Sequence, residues 1–128
     1  MISKNRNVHD LKSIIKDTNN TITILESKIN ELKLNTLDKD EVKKTLVRLS
    51  LINEEIENII SLVRIYIKKI IIRTDKEQML LNEIYLNLNT LDLLMYEIES
   101  IKQSLKTNNL ESNQNDIYLN ELISLNID

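Results

Sequence analysis

The chain predicts an all-α fold: an elongated antiparallel bundle of three helices with a short C-terminal helix. Three observations carry this. Gly and Pro are both absent from the 128 residues, so the tight turns of a hairpin-rich β fold have only Asn to supply positive φ. Apolar residues recur at alternating steps of three and four over long stretches, the heptad spacing of helices that pack along a seam. Helix-start signatures at Asp38 and Thr74 divide these stretches into three.

Helix 1 is predicted from about Val8 to Leu34. Its seam reads Val8, Leu11, Ile15, Thr18, Ile22, Leu25, Ile29 and Leu32 without a slip. Asn19, Asn20, Thr21 and Thr23 are poor helix formers, but the seam keeps phase across them, so one helix is expected. A turn follows near residues 35–38. Asp38 can cap a new helix, Glu41 stands three residues on as in a capping box, and Leu37 with Val42 can form a hydrophobic staple.

Helix 2 is predicted from about Lys39 to Arg73, with a seam of Val42, Leu46, Leu49, Asn53, Ile56, Ile60, Val63, Ile67 and Ile70. Asn53 either fixes register as a buried polar residue or is solvated while Ile52 turns inward. The second is expected. The stretch Ile59 to Ile72 has ten apolar residues among fourteen, and they do not keep to one stripe. A helix apolar nearly all round is covered on most sides, so this segment is expected to be the most buried in the molecule.

Thr74 and Glu77 repeat the capping-box spacing. They mark a second turn, since one helix from 39 to 106 would be a rod roughly 100 Å long. Helix 3 is predicted from about Asp75 to Lys106, with Leu80, Ile84, Leu88, Leu91, Met95, Ile98, Ile101 and Leu105 as its seam. Residues 1–106 thus form the bundle, and 107–128 a polar linker with a short amphipathic helix from Ile117 to Ile127. The spacing of Leu119, Leu122, Leu125 and Ile127 is also that of a leucine-rich docking peptide, but a helix capping the bundle is the simpler expectation.

Composition excludes more than it assigns. Cys, Trp and Phe are absent along with Gly and Pro. There are 21 Ile, 21 Leu and 17 Asn, a pattern of AT-rich codons that suggests an AT-rich genome. Without Cys there is no disulfide or thiolate chemistry. Without Gly there is no phosphate-cradling loop of the usual kinds. The only His, His9, has no partner at ligand or catalytic spacing, and Glu54, Glu55 and Glu57 lack the Glu-x-x-His pattern of di-metal bundles. No catalytic residue, metal, cofactor or small-molecule ligand is therefore expected. No apolar signal core follows Met1 to Arg6, and the Ile59–Ile72 run is too short to span a bilayer and carries Arg64, Lys68 and Lys69. The expectation is an intracellular protein, cytoplasmic by simplest reading.

Two features bear on partners. Arg64, Lys68, Lys69 and Arg73 are four cations within ten residues with no acid among them. They could meet a phosphate backbone or an acidic protein, but a solvated strip beside an apolar run is the simpler reading. A net charge of −3 with only four Tyr argues against nucleic acid. The second feature is apolar surplus. Ten apolar residues in Ile59–Ile72 and twelve among the eighteen from Met79 to Tyr96 exceed the three or four per two turns that a bundle helix needs. In an up-down-up bundle these segments lie side by side, so Ile65, Ile72, Leu81 and Leu86, with the cations as flanks, are the expected contacts to another protein or another copy.

The region from Leu11 to Gln103 resembles a BAG domain, the three-helix module by which Hsp70 co-chaperones bind the ATPase domain. Leu37-Asp38-Lys39-Asp40 resembles the turn into that family's second helix, and Leu81 to Asp92 the apolar pattern of its third. Lys76-Glu77-Gln78 and Tyr85 depart from the family's pattern. The resemblance implies nucleotide exchange on Hsp70. From the residues themselves, the leading reading is a non-enzymatic interaction module, a subunit or adaptor of a larger assembly.

Overall fold

The computed structural model describes the backbone of residues 2–33 and 38–127, and the side chains of residues 6–33 and 38–107. It holds three helices: α1 (Ile2–Lys33), α2 (Lys39–Lys68) and α3 (Asp75–Ile127). They form an all-α three-helix bundle. Its topology follows from three cross-links. Asn7 donates to the carbonyl of Ile71 (2.9 Å), Asn87 to Thr18 (2.7 Å), and Lys33 pairs with Glu97. α1 and α3 therefore run side by side in the same direction, with α2 antiparallel to both.

The core follows the predicted seams with one correction on α3: Leu94 is buried where Met95 was expected, and Met95 is only half-buried, because this helix turns its apolar face to two neighbours at once. Leu11, Ile15, Ile22, Leu25 and Ile29 of α1 are buried against Ile84, Leu88, Leu91, Leu94 and Ile98 of α3, with Leu49, Ile52, Ile56, Ile60 and Ile67 from α2. Each such side chain contributes about 1.5–3 kcal/mol by leaving water. Ile52 is buried and Asn53 half-buried, so the inward residue is Ile52, as expected. Thr18 is polar yet buried on the α1 seam. Its hydroxyl donates to the Ile14 carbonyl (2.8 Å) and accepts from Asn87, so its burial leaves no polar group unpaired.

The second helix ends early. It was expected to reach Arg73 but stops at Lys68, leaving Lys69 to Thr74 as the connection. Helices commonly end on a Gly in the left-handed region. This chain has none, and no described residue has positive φ. The helix instead tightens: the Lys69 N–H bonds the Tyr66 carbonyl and the Ile70 N–H the Ile67 carbonyl, both at 3.1 Å. The β-branched run Ile70-Ile71-Ile72 favours extended backbone, and Ile70 and Ile72 lean on the core.

Both predicted caps form. Asp38 accepts the N–H of Glu41 at 2.8 Å. Thr74 accepts the N–H of Glu77 at 3.1 Å, while Glu77 reaches back to the N–H groups of Arg73 (2.7 Å) and Thr74 (3.2 Å). Glu77 is wholly buried, and its second carboxylate oxygen has no partner among the described residues. Val42 is buried, while its expected staple partner, Leu37, lies outside the described residues.

α1 starts six residues before the predicted Val8. At the other end α3 runs unbroken through 107–116, where a polar linker was expected, and on to Ile127. Those ten residues are Thr, Asn, Leu, Glu, Ser, Gln and Asp. All are mediocre helix formers except Leu, Glu and Gln, but none is a breaker, so a helix already nucleated upstream propagates. The expected docking of Ile117–Ile127 concerns side chains outside the described residues.

Candidate interaction surface

α3 packs against both other helices, most extensively against α1, whereas α1 and α2 barely meet. This arrangement corrects one expectation. Ile59–Ile72 is not the most buried segment. Ile60 and Ile67 are buried, Ile59, Val63, Ile70 and Ile72 are half-buried, and Leu62, Ile65, Tyr66 and Ile71 are exposed. A helix with one close neighbour and one distant one can cover a single stripe, whatever its composition.

Of the expected contact residues, Ile65 (54% exposed) and Leu86 (64%) face outward. Ile72 and Leu81 are half-buried against the core. Arg64, Lys68, Lys69 and Arg73 are all exposed, and none forms an ion pair among the described residues. Arg64 and Lys68 share a helical face, being four residues apart. Lys69 and Arg73 lie past the end of α2, so the cations do not form one continuous helical strip.

Sequence reasoning missed two features. On α3, Met79, Leu86 and Leu93 are exposed and seven residues apart, so they line one outward stripe. The spacing is legible in the sequence, but spacing alone does not say that this face meets no neighbour. The second is a groove of about 380 Å³ between α1 and α2, toward the end where α2 meets its connection to α3. Ile14, Ile59, Leu62, Val63 and Tyr66 give it apolar walls, and Asp10 and Asp17 stand on its α1 side. Among the described residues no Lys or Arg lines it. Farther along the same seam lies a second recess of about 320 Å³, whose charges balance: Lys28 and Arg48 against Glu31 and Glu55. Nothing in the sequence signals that α1 and α2 stand apart, because both carry full seams.

Among the described residues no group of His, Cys, Asp or Glu is placed to hold a metal ion, and no helix is long and apolar enough to cross a membrane. Comparison with known protein families, characterised proteins and solved structures finds no match.

Proposed function

We propose that this chain is a non-enzymatic helical interaction module, a subunit or adaptor that docks another protein on its apolar faces. One observation carries the reading. Among the described residues, twelve large apolar side chains are exposed while sixteen form the core. Scattered apolar residues are normal on a surface. Here five of the twelve are ordered: Met79, Leu86 and Leu93 in a stripe on α3, and Leu62 and Tyr66 at the lip of an apolar groove.

The test is association. Ile65→Ser with Leu86→Ser should leave helicity by circular dichroism nearly intact, because both residues are exposed, and should change mass by light scattering or abolish capture of a partner. A monomeric wild type that captures nothing, together with unfolding of the double variant, would remove the reading. The resemblance of Leu37–Asp40 and Leu81–Asp92 to a BAG domain suggests a narrower version in which the partner is the Hsp70 ATPase domain. Accelerated nucleotide release from Hsp70 would select it. Weak nucleic-acid binding through Arg64 and Lys68 ranks last. Sub-micromolar binding lost on Lys68→Glu with Lys69→Glu would be needed to raise it.

A further inference from the structure

We infer that the α1–α2 groove receives an amphipathic helix of another protein, one that presents an apolar ridge flanked by Lys or Arg. This deepens the interaction reading and rests on it. Two helices of a three-helix bundle that stand apart leave a trough along their seam, and a fourth helix is the element whose ridge fits such a trough. The walls suit that role. Ile14, Ile59 and Val63 form a half-buried floor, while Leu62 and Tyr66 rise at the lip at 66% and 48% exposure. The volume of about 380 Å³ accommodates the side chains of a ridge rather than a whole helix, which is how a helix lies in a groove with anchors at i, i+3 or i+4, and i+7.

Charge then selects the occupant. Among the described residues the groove has two carboxylates and no cation in its lining. Asp10 is joined by Arg6 at 3.9 Å, and Arg6 is itself largely in solvent. Asp17 makes no ion pair among the described residues. A helix with Lys or Arg beside its apolar ridge gains attraction here, and an acidic one meets repulsion. That criterion disfavours the chain's own C-terminal residues. From Thr107 onward there is no Lys or Arg, and Glu111, Asp116, Glu121 and Asp128 supply four acids. It also disfavours a second copy. The chain's two densest cation runs, Lys39, Lys43, Lys44 and Arg48, and Arg64, Lys68, Lys69 and Arg73, both draw on the α2 that itself forms the groove wall.

The experiment uses the full chain and three synthetic peptides of about 18 residues, or about 27 Å as a helix. One is a Leu/Lys amphipathic helix, one has Glu in place of Lys, and one has the Leu/Lys composition scrambled so that no stripe forms. Binding is measured by fluorescence anisotropy, and the site by methyl shifts in NMR spectra. The Leu/Lys helix should bind and move the methyls of Ile14, Ile59, Leu62 and Val63. Asp10→Lys with Asp17→Lys should weaken binding by about tenfold or more, whereas Glu31→Lys with Glu55→Lys, in the charge-balanced recess, should leave it within about twofold.

Equal binding of the acidic or scrambled peptide, equal loss in both charge-reversal pairs, or shifts confined to α3 would overturn the groove assignment while leaving the interaction reading intact. A dimer in light scattering that Leu62→Ser dissociates would overturn it in favour of a second copy. If no peptide binds, the groove assignment falls. The mass and capture measurements on Ile65→Ser with Leu86→Ser then decide separately whether the interaction reading falls too.

Discussion

The α1–α3 interface and the α1–α2 seam are built from the same residue types and end differently. Along α1–α3, Leu11 to Ile29 meet Ile84 to Ile98 in a continuous buried ladder. Polar side chains pin it at two levels, Asn87 on Thr18 and Asn19 in the middle and Lys33 on Glu97 farther on, and Asn7 ties the end of α1 to Ile71 in the connection that leads into α3. Along α1–α2 the helices barely meet, and the apolar residues between them line a groove. Apolar content measures what a helix could bury. The number and closeness of its neighbours decide what it does bury. Ile60 and Leu62, two residues apart and equally apolar, lie on opposite sides of that decision.

The contrast can be tested from its strongest element downward. Leu91→Ala removes a wholly buried side chain from the α3 ladder and should cost about 2–5 kcal/mol in urea unfolding, while Leu62→Ala at the groove lip should change stability by no more than about 0.5 kcal/mol. If the two cost the same, the distinction between ladder and seam collapses.

Next comes the turn that holds the groove end together. Glu77→Ala strips acceptors from the N–H groups of Arg73 and Thr74 and should lower stability by about 1–3 kcal/mol. Glu77→Gln keeps an acceptor oxygen and should lose less. Hydrogen exchange at Arg73 and Thr74 localises the effect: their amides should lose protection in the Ala variant well before those of Leu91 or Ile98 do.

The polar clamp is smaller. Thr18→Val preserves shape and removes the hydroxyl that accepts from Asn87. Paired with Asn87→Ala in a double-mutant cycle, it should show a coupling of about 0.5–1.5 kcal/mol. A coupling near zero would mean that the clamp adds no net stability to the ladder. Smallest is the Lys33–Glu97 pair, whose side chains are 42% and 35% exposed. Its cycle should give at most about 1 kcal/mol, shrinking as salt rises.

The local elements of this protein are legible in its residues alone. The phase of Leu11, Ile15, Thr18, Ile22, Leu25 and Ile29 predicts the buried face of α1 residue by residue, because a helix presents positions three and four apart to one side. Asp38, and Thr74 with Glu77, predict the starts of α2 and α3, because capping is a contact between residues at most four apart. Where a helix stops was less legible. With no Gly or Pro, α2 ends by tightening at Lys69 and α3 passes through a polar stretch, and both outcomes depend on weak preferences that packing and propagation override.

The groove, by contrast, is set by how the three helices pack. That α3 lies close to α1 while α2 stands off is a property of three helices at once, and the heptad seams of α1 and α2 are equally compatible with close packing. The same holds for the contact residues. Composition correctly implied surplus apolar side chains in Ile59–Ile72 and Met79–Tyr96, yet it could not say that Ile65 and Leu86 face outward while Ile72 and Leu81 rest on the core. Periodicity orients a side chain about its own helix axis. Whether it meets a neighbour or water depends on where the other helices lie, and no local spacing records that.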